Sequence, residues 1–297
     1  MTETEEAVRR AGELVAEKYV FADVADQLRD LLAAGHYPDD LPELAEQVTR
    51  DLQSVNGDRH LRLRHHAEPL PEVWDDAAQE VEYAERTAQH LGGVARIERL
   101  EGNVVHLVLA PHLFPVELAG PALTAAMQLV AGADALLLDL RSNRGGDPRT
   151  VALICGYLLA EDSLLVTMEH RDPAQVRQSW SPAWVPGPRF GPTKPLYVLV
   201  SSTTFSGAEE LAYDLRHLRG STVVGERTRG GAHPCEGFRV HPHLELTVPT
   251  ARAVGSSTGA NWEGTGIAPD IEVPAADALD TAYRLALSDL ADETKPA

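Results

Sequence analysis

Lysine is nearly absent: among 297 residues only Lys18, Lys194 and Lys295 carry an ammonium group, and every other strong cation is an arginine. Positive charge as a whole is scarce, with 26 Lys and Arg against 45 Asp and Glu and a formal net charge of −19. That balance argues against nucleic acid or an anionic membrane surface as a partner, since both select for clustered cations. Cysteine is also rare. Cys155 and Cys235 have no disulfide-like spacing, so a reducing compartment fits best and a cytoplasmic protein is expected. No apolar run approaches the ~20 residues that span a bilayer. The opening "MTETEEAVRR" is acidic where a secretory signal is positive. Internal repeats and low-complexity tracts are missing as well. What is present is 43% hydrophobic residues, enough to fill a real core.

Apolar positions recur at three- and four-residue intervals over residues 3–35, and again in "DDLPELAEQVTRDLQSV", which predicts helices. Residues 1–56 are therefore expected to form a small helical domain, and 57–297 the main core. "NGDRHLRLRH" supplies a turn followed by an alternating strand. From residue 93 strands and helices alternate, the signature of α/β layers. "GGVARIERLEGNVVHLVLA" predicts two strands, and "GPALTAAMQLVAGA" a helix. "DALLLDLRSNRGGDP" predicts a buried strand running into a glycine loop. The stretch 175–194, rich in Pro and Trp, predicts an irregular excursion covering a site. A hairpin-like pair is expected in 236–250, and a last helix near 277–291.

The chain leaves the apolar run "PLYVLV" through "SSTTFSGAEE". Ser206 followed by Glu209 reads as a helix-capping box. The same serine, on a sharp strand-to-helix turn beside unpaired amides, also suits a nucleophile. Gly145 and Gly146, at the end of what should be a neighbouring strand, can turn N–H groups inward and hold an oxyanion together with the amide of Gly207. A third glycine loop, "VVGERTRGGAHP", also follows a strand, and "NWEGTGIAPD" closes the set.

In order, "DLRSNRGG", "SSTTFSGAEE", "GERTRGGAHP" and "EGTGIAPD" resemble the tail-specific (C-terminal processing) serine peptidase family. The likeness is to its branch containing interphotoreceptor retinoid-binding protein, and it extends over roughly residues 7–287. The resemblance implies a ClpP/crotonase-like core of ββα units with a small N-terminal helical domain. It also implies Ser206 as the attacking residue and Gly145 or Gly146, with the Gly207 amide, as the oxyanion hole. Better-known members take their base from a lysine in a Gly-x-x-Thr-x-Gly-Lys loop, but here Gly231 holds that place. Downstream of Ser206 the only lysine is Lys295, in the terminal tail. A Ser-Lys dyad of the usual kind is excluded.

Tricorn-like members use a histidine ahead of the core and a glutamate ahead of Gly-x-x-Pro-Asp, places held here by His60 and Glu263. A neutral imidazole accepts a serine proton near physiological pH, and a carboxylate orients the network around it. The serine that precedes the tricorn-type histidine is replaced by Arg59. His233 and Cys235 are expected to have a loop role, with Pro234 between them. His241 and His243 share a strand face without an evident third ligand, so neither metal nor cofactor is expected. About 75 residues separate His60 from "LLLDLRSN", and predicted core elements occupy them, leaving no room for a PDZ domain. The expected partner is a peptide or protein substrate; a homo-oligomer is compatible with the sequence. The rival expectation is a non-catalytic carrier of a retinoid or fatty acid, with Trp180, Trp184 and Trp262 lining a hydrophobic pocket.

Overall fold

The structure, a computed structural model, describes residues 2–72 and 76–293; the tail lysine Lys295 lies outside them. The first elements are α1 (Glu3–Lys18), α2 (Ala22–Ala34), α3 (Leu41–Asn56), β1 (Arg62–His65) and α4 (Asp76–Gln89). Next come β2 (Val94–Leu100), β3 (Val104–Leu109), α5 (Val116–Val130), β4 (Ala135–Asp139) and α6 (Pro148–Leu158). They are followed by β5 (Leu164–His170), β6 (Val176–Trp180), β7 (Leu196–Val200), α7 (Gly207–Asp214) and β8 (Thr222–Gly225). The chain ends with β9 (Cys235–His241), β10 (Leu244–Pro249), β11 (Ala251–Gly255), β12 (Ile271–Glu272) and α8 (Ala278–Glu293). Among the described residues no helix is long and apolar enough to cross a membrane.

Two compact units emerge. The first comprises residues 1–79, 168–177 and 231–254. Its helices start where side chains take up orphan amides: Thr2 and Glu5 form a reciprocal box at α1, and Asp40 accepts the Glu43 N–H at α3. Gly57, at φ 74°, ends α3 in the left-handed region. The unit is larger than the helical segment 1–56 expected from the sequence. The apolar faces carrying Leu14, Val15, Leu28, Leu44 and Leu52 are covered by Leu61, Leu63, Leu244, Leu246 and Val248. Leu61 stands directly before β1, and the other four come from an antiparallel sheet of order β1-β10-β9. Three short amphipathic helices need such a cover, and a hairpin almost 200 positions downstream supplies it.

The second unit comprises residues 80–167, 178–230 and 255–297. Its six-stranded sheet has the order β12-β8-β7-β4-β3-β2, parallel except for the β2–β3 pair. Every residue of β4 and β7 is buried, as expected for central parallel strands covered on both faces. They are direct neighbours, Leu136 facing Leu196 and Asp139 facing Leu199, so the loops at their carboxyl ends emerge side by side. The segment expected to leave no room for an inserted domain is taken by β2, β3 and α5. Several elements differ from expectation, among them β11 and β12, which lie where the sequence predicts no strand. Val176–Trp180 in the proline-rich excursion is a strand, and α4 was not legible because Val81 and Tyr83 on it are 59% and 49% exposed, leaving little apolar periodicity.

Candidate active site

The hydroxyl-rich run after β7 ties that strand's exit to the exit of β4. Thr204, fully buried, donates its hydroxyl to the Leu140 carbonyl at 2.9 Å and accepts the Ser201 N–H at 3.0 Å. Ser201 Oγ donates to the Arg141 carbonyl at 2.6 Å, and the Phe205 N–H to the Asn143 carbonyl at 3.2 Å. These bonds replace the ladder pairing that ends with the strands. The next residue, Ser206, has φ 54° and ψ −124°, a conformation that L-residues adopt only under constraint, and α7 begins directly after it.

The glycine loop meets this turn backbone to backbone. Gly145 and Gly146 have φ of 89° and 147°. A Cβ on Gly145 would lie 2.7 Å from both Gly207 N and Ser206 Cβ. One on Gly146 would lie 1.9 Å from the Leu113 carbonyl oxygen, and one on Gly207 3.1 Å from Gly146 N. Only glycine fits at Gly146. The two amides of the Gly-Gly pair are not equivalent. Gly145 N–H donates to Asn143 Oδ1 at 2.9 Å, while the Asn143 amide donates to the Leu109 carbonyl at 3.0 Å. Among the described residues no acceptor takes the N–H of Gly146 or of Gly207. The structure thus brings Ser206, Gly145, Gly146 and Gly207 together, and leaves two adjacent amides for a ligand oxygen.

The third and fourth glycine loops pack on the same turn. Gly264 N–H donates to the Gly230 carbonyl at 3.2 Å, and Thr228 N–H to the Ile267 carbonyl at 3.1 Å. Glu263, half-buried, follows Trp262, which is 2% exposed with its ring 4.8 Å from that of Tyr213. Among the described residues of this unit the one lysine, Lys194, precedes β7, at the opposite end of the strand from Ser206, and donates to the carbonyls of Ala131 and Ala133.

His60 belongs to the first unit, on the turn between α3 and β1, and is 5% exposed. Its backbone N–H donates to Asp58 Oδ1 at 3.1 Å. Asp58, 1% exposed, also accepts the Tyr19 hydroxyl at 2.9 Å, and it pairs with His233 Nδ1 at 2.7 Å. Burial works to raise the Asp58 pKa, but the hydrogen bond and charge of His233, with Tyr19 and the His60 amide, outweigh it and hold the carboxyl below its ordinary value. Sequence reasoning missed Asp58. The only local signal was its place two residues before His60, and the His233 partner is 175 positions away. The loop role expected for His233 proves to be this pairing.

Directly behind Ser206, α7 carries two further buried acids, Glu210 and Asp214, one helical turn apart. Burial, aided by the charge of Asp147, pushes the Glu210 carboxyl up to about 8; burial and Glu210 push Asp214 up as well. A Glu210 oxygen and an Asp214 oxygen are buried without a hydrogen-bond partner.

A serine on a strained strand-to-helix turn, beside two unclaimed amides, is an arrangement that acyl-transfer chemistry can use. The family model described as peptidase family S41 matches residues 116–273, over half of the chain, and the chain belongs to this family. A second model, described as the N-terminal domain of Peptidase_S41 in eukaryotic IRBP, matches residues 2–92. The carboxyl-terminal-processing protease of Synechocystis sp. is 33% identical over 99 residues, which make up 33% of this chain but only 22% of that protein. A solved structure of a Parabacteroides merdae protein assigned as a peptidase superposes with a TM-score of 0.68 at 16% identity, covering 97% of this chain and 98% of that one. The tricorn protease superposes at 0.58 and 14% identity, over 97% of this chain and 37% of its own. At such identities the structural likenesses speak to the fold.

Proposed function

We propose that the chain is a serine peptidase that cleaves peptides or unfolded protein segments through an acyl-enzyme on Ser206. The observation that carries this reading is the Ser206 turn itself, at φ 54° against the Gly146 and Gly207 amides. The Ser206 hydroxyl attacks the scissile carbonyl carbon and passes its proton to the His60 imidazole. The carbonyl oxygen, now anionic, is held by the N–H groups of Gly146 and Gly207. His60 returns the proton to the departing amine, and water then hydrolyses the ester by the same route. Glu263 orients this network. Gly145 contributes through its left-handed φ and through Asn143, which occupies its amide. The ββα succession of β2, β3 and α5 supports a ClpP/crotonase-type core, and the match of the N-terminal model supports the retinoid-binding-protein-like branch.

The carrier reading gains no support. Trp262 is core, packed on Tyr213, while Trp180 and Trp184 are 49% and 75% exposed. A fluorophosphonate probe tests the proposal: intact mass should show one adduct, mapped to Ser206, and none in Ser206→Ala. His60→Ala should retain the fold and lose labelling of Ser206. Equal labelling of Ser206→Ala removes Ser206 from the site.

A further inference from the structure

We propose that Glu209 is a positioning residue for the Ser206 nucleophile, its carboxylate locking the strained turn to the Thr228–Gly230 loop. The inference rests on the reading of Ser206 given above and assigns a function to what the local pattern presents as a helix cap. A capping glutamate at the third helical position normally reaches back over an exposed helix start. Glu209 is instead fully buried. Its Oε2 accepts the Ser206 N–H at 2.9 Å. Its Oε1 accepts the Gly230 N–H at 2.8 Å and the hydroxyl of Thr228. Thr228 Oγ1 in turn accepts the Ile267 N–H at 2.7 Å, and Gly264 donates to the Gly230 carbonyl. One carboxylate therefore joins the nucleophile turn to the loop that packs against the Glu263 segment.

The geometry reaches the reacting atoms through two peptide planes. The Glu209 carboxylate fixes the plane that carries the Ser206 N–H. The Ser206 carbonyl accepts the N–H groups of Glu209 at 2.8 Å and Glu210 at 3.0 Å, which fixes the following plane. That second plane carries the Gly207 N–H, one of the two unclaimed amides. The strain of a non-glycine residue at φ 54° is comparable to the strength of a charge-assisted hydrogen bond, so the carboxylate can hold a conformation the serine would otherwise leave.

Glu209→Gln keeps the shape but sets an amide NH2 among hydrogen-bond donors. It should slow fluorophosphonate labelling of Ser206 and lower kcat by about 10²-fold, with KM within about twofold, as expected for a misplaced reacting group. A purely structural residue would lower Tm and leave labelling of the folded protein at the wild-type rate; that result overturns the proposal. Should Glu209→Gln not fold, Thr228 decides: Thr228→Val should slow labelling and Thr228→Ser restore it, whereas wild-type rates in both overturn the proposal. Wild-type protein that is not labelled at Ser206 sinks this inference together with the peptidase reading. Wild-type labelling at Ser206 with an unaffected Glu209→Gln sinks this inference alone.

Discussion

The Ser206 turn and the His60 turn are built on opposite plans. Around Ser206 the information is stored in the backbone: three glycines, a left-handed serine and two unclaimed amides, with hydroxyls fastening adjacent strand exits. Around His60 it is stored in side chains. Asp58 gathers the His60 amide, the Tyr19 hydroxyl and His233, and Asn56 donates to the Tyr19 hydroxyl at 2.6 Å. A backbone-built site fails sterically and cannot be repaired by a similar residue. A side-chain network fails by degrees, according to which donors lose their acceptor.

The largest expected effect follows from the first plan. Gly146→Val drives a Cβ to 1.9 Å from the Leu113 oxygen, so the loop must move. Turnover should fall by about 10²-fold or more through loss of an oxyanion donor. Full activity in a stably folded variant would place the donors elsewhere.

The second plan predicts a graded series. Asp58→Ala leaves buried donors without an acceptor and should cost about 1–3 kcal/mol for each one stranded, whereas Asp58→Asn should cost less and keep more activity. The Asp58 pKa lies below its ordinary 3.8, so its stabilisation is present above that value and is lost as pH falls through the folded-state value. Acid unfolding followed by circular dichroism should therefore be steeper in wild type than in Asp58→Asn. Equal steepness would show that the pairing with His233 contributes nothing.

Glu210 sharpens the comparison from within α7. Its carboxyl is raised from 4.5 to about 8, so the unfolded chain ionises first and stability declines as pH rises through that window. The Tm difference between Glu210→Gln and wild type should grow in favour of the variant from pH 4.5 to about 8. A constant difference would mean that the group ionises freely in the fold. The smallest effect is reserved for Lys194. Bound to carbonyls at the far end of β7, it should be replaceable by Gln at about 1 kcal/mol of stability, with labelling of Ser206 unchanged. Lost labelling in a folded variant would revive a lysine base.

Much of the second unit was legible because its signals are local. Central parallel strands are continuous apolar runs, the glycine loops follow them directly, and Ser206 stands at a strand-to-helix junction that capping chemistry marks by itself. The extent of the first unit was not legible. Helical periodicity announces the apolar faces of α1 to α3, but it does not say that β9 and β10 cover them. Nor does a Gly-Gly pair reveal which of its amides is free; Asn143 settles that by occupying one of them.

Sequence alone determined the charge balance, the absence of a lysine at the position of Gly231, and the order of the four loops, because composition and succession belong to the linear chain. Tertiary structure decided the rest. It set the left-handed φ of Ser206, the burial of Glu209 and the meeting of Asp58 with His233 across 175 positions. Each of these depends on which atoms come within hydrogen-bond reach once strands have paired and cores have closed, and sequence spacing does not encode that distance.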